Sequence, residues 1–289
     1  MDKYNVLVTG GAGFIGSHTV EKLAEMGHNA IVLDDLSTGK KENLNGIKCK
    51  FVEGNINNRS ILKHVFTKLG KVDYVIHLAA KLSVPESMTN PALYQEVNVQ
   101  GTYNILTYAH KCRCKKVALA STCAVDGDSY YGLSKKITED IANWFTVNYK
   151  LPVACLRYVN VYGERQALVG EGAVVPAFID LVKRSKQAIV HGDGSQTRDY
   201  VNGRDVAEAN IHAVLNDFIG ITYVATGIET SVIDLLRTIQ DIVGIKIDPI
   251  FKDRRAGDMM SVGKHYPKKE FGWTPKVTLE EGLRKMITK

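Results

Sequence analysis

The sequence predicts an α/β fold, a doubly wound parallel sheet with a smaller C-terminal α/β lobe. Three observations carry that prediction. From Tyr4 to Tyr158, short apolar, β-rich runs alternate with amphipathic helical stretches, the pattern of a sheet covered on both faces. The first run is followed by a glycine-rich turn and then a helix. Beyond about Asn160 the alternation gives way to turn-rich pieces and shorter elements. The expected division is therefore residues 1–159 as the first domain and 160–289 as a second lobe, partly interleaved with it.

Tyr4 to Thr9 reads as a buried strand, Gly10-Gly11-Ala12-Gly13-Phe14-Ile15-Gly16 as the turn, and the next stretch to about Met26 as a helix. Ala30 to Leu33 is a second strand, ending in Asp34-Asp35. Both Gly11/Gly13/Gly16 and Gly10/Gly13/Gly16 satisfy glycine spacings of a dinucleotide turn. Such glycines permit close backbone approach to a pyrophosphate, and the helix-start amides of Phe14 and Ile15 bind its charge. An acid 18 residues past Gly16, Asp34, is placed to accept hydrogen bonds from the adenosine ribose and to repel a 2′-phosphate, which favours NAD over NADP. The first domain thus reads as a Rossmann domain.

The alternation continues with a strand at Lys48 to Val52, the segment Glu53-Gly54-Asn55-Ile56-Asn57, and a helix from about Ser60. Val72 to His77 is a strand ending at Leu78-Ala79-Ala80, where small residues let a cofactor lie close. Tyr94 to His110 reads as one long helix containing Asn98. Val153 to Tyr158 is a further strand, and Thr222 to Ala225 is placed to return to the first domain. Ligands of such sheets bind at the carboxyl ends of the strands, where the glycine turn, Asp34, Ala79-Ala80 and Thr122 all fall.

The chemistry centres on Ser121 to Lys135. A strand at Lys116 to Ala120 ends in Ser121-Thr122, a short acidic turn comes next, and a helix carries Tyr131 and Lys135. Four residues apart on a helix, Tyr131 and Lys135 share a face. An ammonium beside a phenol stabilises phenolate, and a phenolate near neutral pH can take a proton from an alcohol.

Bulk properties exclude other classes. No apolar run reaches membrane-spanning length, and the N-terminus lacks a signal-peptide pattern. The five Cys have no paired metal spacing and read as reduced thiols of a cytoplasmic protein; no metal is expected. The net charge of +6 is spread over scattered basic pairs without interleaved aromatics. That argues against nucleic acid and is compatible with an anionic small molecule. Arg198 and Arg255 suit diphosphate recognition, although spacing alone also allows surface ion pairs.

Taken together, Val-Thr-Gly-Gly-Ala-Gly-Phe-Ile-Gly-Ser-His at 8–18, Asp-Asp-Leu-Ser-Thr-Gly at 34–39, His-Leu-Ala-Ala at 77–80, Asn-Val-Gln-Gly-Thr at 98–102 and Tyr-Gly-Leu-Ser-Lys at 131–135 form a recognisable set. So do Leu-Arg-Tyr-Val-Asn-Val-Tyr-Gly at 156–163, Gly-Asp-Gly-Ser-Gln-Thr-Arg-Asp-Tyr at 192–200 and Phe-Gly-Trp-Thr-Pro at 271–275. The chain resembles, over essentially its whole length, the extended short-chain dehydrogenase/reductase family in its NAD-dependent nucleotide-sugar epimerase/dehydratase branch. The resemblance implies that Tyr131 is the acid/base, that Lys135 binds nicotinamide ribose and lowers the tyrosine pKa, and that Thr122 hydrogen-bonds the reacting oxygen. It adds Asp35, Asn55, Ile56, Leu78, Ala79, Ala80, Asn98 and Tyr158 to the cofactor set. It places Asn160, Arg198, Arg255 and Asp258 on a UDP-sugar, and implies a homodimer through helices 94–110 and 131–149.

The implied reaction is inversion at C4 of a UDP-hexose, glucose or galactose or their N-acetyl forms, through a 4-keto sugar. Members of the branch that eliminate water place an acid directly after the catalytic Thr, whereas here Cys123 and Ala124 stand in that place. Another nucleotide-sugar oxidoreductase or dehydratase, or an NAD-binding sensor without catalysis, are the alternatives. Two departures from relatives stand out: Asn55 replaces the usual Asp, and Thr122 and Tyr131 are only nine positions apart. The short connection is expected to remove a wall of the active site.

Overall fold

The computed structural model describes residues 2–168, 173–254, 260–261 and 263–288. The first half alternates β1 (Asn5–Thr9), α1 (Phe14–Glu25), β2 (Asn29–Asp34), β3 (Cys49–Glu53), α2 (Arg59–Thr67) and β4 (Tyr74–His77). Next come α3 (Val84–Thr89), α4 (Pro91–Tyr94), α5 (Gly101–Lys111), β5 (Lys116–Thr122), α6 (Tyr130–Tyr149) and β6 (Val153–Tyr158). The expected helix from Tyr94 to His110 is not one α-helix. Residues Gln95–Gln100 form a π-helical segment between α4 and α5, a widened turn that commonly marks functional positions, and Asn98 lies inside it.

The second half holds β7 (Asn160–Tyr162), α7 (Val174–Lys183), β8 (Ile189–His191), β9 (Thr197–Asn202), α8 (Gly203–Leu215) and β10 (Gly220–Val224). It ends with β11 (Glu229–Ser231), α9 (Val232–Val243), β12 (Ile250–Lys252) and α10 (Leu279–Ile287). Among the described residues, the main sheet has the order β10-β6-β5-β4-β1-β2-β3 and is parallel throughout. Its order reverses between β1 and β4, and that switch point opens a crevice at the strand carboxyl ends.

Strand alternation sorts the apolar residues into two layers. Val6, Val8, Val32, Ile76 and Ala118 face the layer that includes Val20 of α1 and Val206 of α8. Leu7, Ile31, Val75, Val117 and Leu119 face the layer that includes Leu62 of α2, Ile105 of α5 and Phe145 of α6. Although late in sequence, α8 and β10 therefore build the first body. β10 pairs with β6 from Gly220↔Ala154 to Val224↔Tyr158.

A third cluster joins Val175 and Phe178 of α7, Val190 of β8, Tyr200 of β9, Leu235 and Ile239 of α9, and Leu283 of α10. The chain enters this region immediately after β6. β7 pairs in parallel with β9 and β11 pairs antiparallel with β9, while β12 pairs with β8. Tyr162 of β7 fixes α10 by donating to the Thr278 and Leu279 carbonyls. Asp205 on α8 accepts the Val277 amide at 2.9 Å.

Candidate active site

The glycine turn is shaped by contacts that a side chain would block. Gly10 has φ of 68°, and a β-carbon there would lie 2.9 Å from the Ala79 nitrogen. At Gly16 a β-carbon would lie 2.0 Å from the Gly10 carbonyl oxygen. Both distances are below van der Waals contact with backbone, so glycine is required. Gly11 instead abuts the Val32 side chain, a packing contact, so Gly10, Gly13 and Gly16 form the turn itself. α1 begins after Gly13 with no side-chain cap and no acid in its first turn. Its leading amides, at Phe14 and Ile15, are presented to an anion at the positive end of the helix.

Asp34 ends β2 beside this turn. Its Oδ2 accepts the Ala12 amide at 2.9 Å and its Oδ1 the Leu36 amide at 2.8 Å. Burial raises the carboxyl pKa, and the two amides oppose that shift. Each oxygen keeps a second lone pair for ribose hydroxyls. Asp35 Oδ1 accepts from the Ser37 amide, and its Oδ2 accepts from Asn55 Nδ2 at 3.0 Å. Asn55 thus ties the ends of β2 and β3. The Ile56 side chain is buried against Gly101, so it serves the helix layer. Tyr158 is likewise buried, with its hydroxyl donating to Asn210 Oδ1 at 2.6 Å.

Leu78, Ala79 and Ala80 form the turn leaving β4, directly across from Gly10. Asn98 is fully enclosed and clamps the next residue, Lys81. Its Oδ1 accepts the Lys81 amide at 2.8 Å, and its Nδ2 donates to the Lys81 carbonyl and to Ser134 Oγ. Since Ser134 lies between Tyr131 and Lys135, one side chain registers this turn against the Tyr-Lys helix.

Thr122 is the last residue of β5, and its Oγ1 accepts the Ala124 amide at 3.2 Å. The short connection to Tyr131 is filled by a single 3₁₀ turn, Cys123–Asp126. Ser129 then caps α6 by accepting the Gly132 amide at 3.0 Å. A β-carbon on Gly132 would lie 2.3 Å from the Ala124 carbonyl oxygen, so the short loop is closed by direct backbone packing. Tyr131 sits in the first turn of α6, with Tyr94 edge-on at 6.5 Å between ring centroids. Lys135 is buried one turn later and donates to the Ala120 carbonyl at 2.9 Å. Burial lowers its pKa to about 8, with Glu139 pulling the other way.

Sequence reasoning missed the groups beneath this pair. Glu139 continues the Tyr131–Lys135 stripe by another turn. It accepts from Ser121 Oγ at 2.6 Å and from Arg157 Nε and Nη2 at 2.9 and 2.7 Å. The signal was present in that spacing, combined with Arg157 on the neighbouring strand β6, opposite Ser121. His77 is also enclosed, bonded to Thr9 Oγ1 at 2.6 Å and Thr102 Oγ1 at 3.0 Å.

From the second lobe, Asn160 of β7 lies opposite Tyr200 of β9, two residues from Arg198. Arg198 donates to the Thr197 carbonyl, and its charge reaches Cys123, whose thiol is pushed up by burial and slightly down by that cation. Separately, an open depression at the β8–β12 pair is lined by His191, Gly192, Asp193, Phe251, Lys252, Asp253 and Arg254. Arg255 and Asp258 lie outside the described residues. No metal-binding cluster is found among the described residues, all five Cys are free thiols, and no described helix is long and apolar enough to cross a membrane.

This geometry has close relatives. A structure of UDP-glucose 4-epimerase with UDP-glucose from Thermotoga maritima superposes with a TM-score of 0.93 at 37% identity, over 98% of this chain and 97% of that one. A Thermus thermophilus UDP-glucose 4-epimerase complex with NAD gives 0.89 at 34% identity, over 98% of both chains. The dTDP-D-glucose 4,6-dehydratase of Homo sapiens is 32% identical, covering 98% of this chain and 88% of its own length. The model of the NAD dependent epimerase/dehydratase family matches residues 6–224. With the glycine cradle, the uncapped start of α1 and Asp34 fitting a dinucleotide, the cofactor is NAD, and the chain belongs to the NAD dependent epimerase/dehydratase family.

Proposed function

We propose that this enzyme inverts C4 of a UDP-hexose, interconverting UDP-galactose and UDP-glucose. The observation that carries the proposal is Lys135: a buried ammonium bonded to the Ala120 carbonyl of β5 and one turn from Tyr131 on the same helix. Tyr131, on the same helix face as that cation, takes the proton of the sugar 4-hydroxyl and later returns it. The Thr122 hydroxyl, fixed by the Ala124 amide, hydrogen-bonds the same sugar oxygen. Gly10, Gly13, Gly16, Asp34, Asp35 and the Leu78–Ala80 turn hold NAD, which when bound reversibly takes the hydrogen of C4. Arg198 and Asn160 hold the diphosphate end, so the oxidised sugar can turn about that end and present its other face.

Cys123 and Ala124 favour epimerisation over dehydration, because neither can supply the acid that eliminates water. Assembly as a homodimer is supported by exposed apolar residues on α5 and α6: Tyr103, Leu133, Trp144, Val147 and Tyr149. The test of function is incubation with UDP-, GDP- and dTDP-sugars without added reductant, with products resolved by chromatography. Conversion of UDP-galactose to UDP-glucose is expected, and Tyr131→Phe should lower turnover by about 10²- to 10⁴-fold. Full activity in Tyr131→Phe would refute the mechanism. Binding of NAD with no conversion of any sugar would favour a sensor.

A further inference from the structure

The proton on His77 can be placed by counting bonds. His77 ends β4 opposite Thr9, the last residue before Gly10. Thr9 Oγ1 lies 2.6 Å from His77 Nδ1 and accepts the Ala79 amide at 3.3 Å; it also shares the Leu78 amide, at 3.2 Å, with the Thr9 carbonyl oxygen at 3.1 Å. A hydroxyl oxygen has two lone pairs and one hydrogen. With the Ala79 amide and a shared Leu78 amide already directed at its lone pairs, a third donor from Nδ1 would exceed its capacity. The Thr9 hydrogen must then point to Nδ1, which leaves the imidazole proton on Nε2, donating to Thr102 Oγ1 at 3.0 Å.

We propose that His77 is a positioning residue for the cofactor: held as the neutral Nε2–H tautomer between Thr9 and Thr102, it fixes the Leu78–Ala80 turn against the glycine turn and so sets NAD affinity. The turn is gripped at both ends. Thr9 holds the Leu78 and Ala79 amides, and Asn98 holds Lys81 through both its amide and its carbonyl. The clearance between the two turns is small, since Ala79 lies where a Gly10 side chain would begin. A rotated Thr9 side chain would release the Ala79 amide and leave the Leu78 amide on the Thr9 carbonyl alone. Full burial and the nearby Lys135 ammonium hold the imidazole at a pKa of about 3, which agrees with the neutral form.

Two measurements on the NAD-loaded protein test this. Nitrogen-15 NMR of histidine-labelled enzyme, with His77→Gln identifying the resonance, should show His77 protonated on Nε2 alone. NAD affinity should fall about ten- to a hundredfold in His77→Leu, the range for stranding buried polar partners. His77→Gln, which can accept from Thr9 and donate to Thr102, should stay within a few fold of wild type. A proton on Nδ1, a charged imidazole, wild-type NAD affinity in His77→Leu, or equal loss in Leu and Gln would each overturn the proposal. Should His77→Leu fail to fold, the tautomer in the native protein decides alone. None of these readouts depends on which sugar is turned over.

Discussion

Glu139 and Arg157 form a two-pronged ion pair beneath the active site, at 2.9 and 2.7 Å, with side-chain exposures of only 1% and 12%. The carboxylate hydrogen bonds hold the guanidinium pKa well above its ordinary value. Breaking a buried pair from one side leaves an uncompensated charge. Glu139→Gln should therefore cost about 3 kcal/mol in urea unfolding. Glu139→Gln combined with Arg157→Met should lose less than the sum of the two single changes. Strict additivity would mean that the pair is not coupled.

The loop between Thr122 and Tyr131 predicts an unusual sensitivity at Gly132. A methyl group there meets the Ala124 carbonyl oxygen at 2.3 Å, and overpacking against backbone costs roughly 1–3 kcal/mol. Gly132→Ala should lower both stability and kcat, since relieving the clash displaces the turn bearing Tyr131. Unchanged kcat, with a normal melting temperature, would show that the loop has room to move.

Lys135 gives a pH signature. Its folded pKa is lowered to about 8 from 10.5 by burial, so the unfolded chain binds more protons between those values. Stability of the cofactor-free protein should then rise with pH from about 8 to about 10.5, and this contribution should be flat below pH 8. Lys135→Met lacks the group, so the difference between wild type and variant should change across that window and nowhere below it. Unfolding curves on both sides of pH 8 check this. A difference independent of pH would place the ammonium in water.

Asp34 should govern the choice of cofactor. Its carboxylate is fixed by the Ala12 and Leu36 amides, with Gly39 packed against both oxygens. Asp34→Ser should reduce the preference for NAD over NADP by at least about tenfold, by removing both a ribose acceptor and the repulsion of a 2′-phosphate. Direct binding titrations with both cofactors would measure it. An unaltered ratio would assign discrimination elsewhere.

The parts legible in sequence were those set by local pattern. Buried strand runs, the glycine turn, the acid after β2 and the Tyr131–Lys135 spacing all obey short-range rules, and the parallel sheet results from their alternation. The expected return of Thr222 to Ala225 is realised as β10 against β6. The features that were not legible depended on partners far away in the chain. Tyr94 to His110 has helical periodicity, yet the Asn98 clamp on Lys81 lies in a π-helical segment. Ile56 and Tyr158 lie near strand ends, but Gly101 and Asn210 draw their side chains into the interior. The short Thr122–Tyr131 connection read as a missing wall. How the loop closes, Gly132 packed against Ala124, needs the folded loop to be seen.

Reversible oxidation at C4 with the hydrogen kept inside the enzyme is the core of the proposed reaction. The most direct measurement tracks UDP-galactose deuterated at C4 through conversion by the protein as purified. UDP-glucose that retains the deuterium at C4, with no NADH accumulating, is the predicted result. Loss of the label to water, or a dehydrated 4-keto-6-deoxy product, would contradict it.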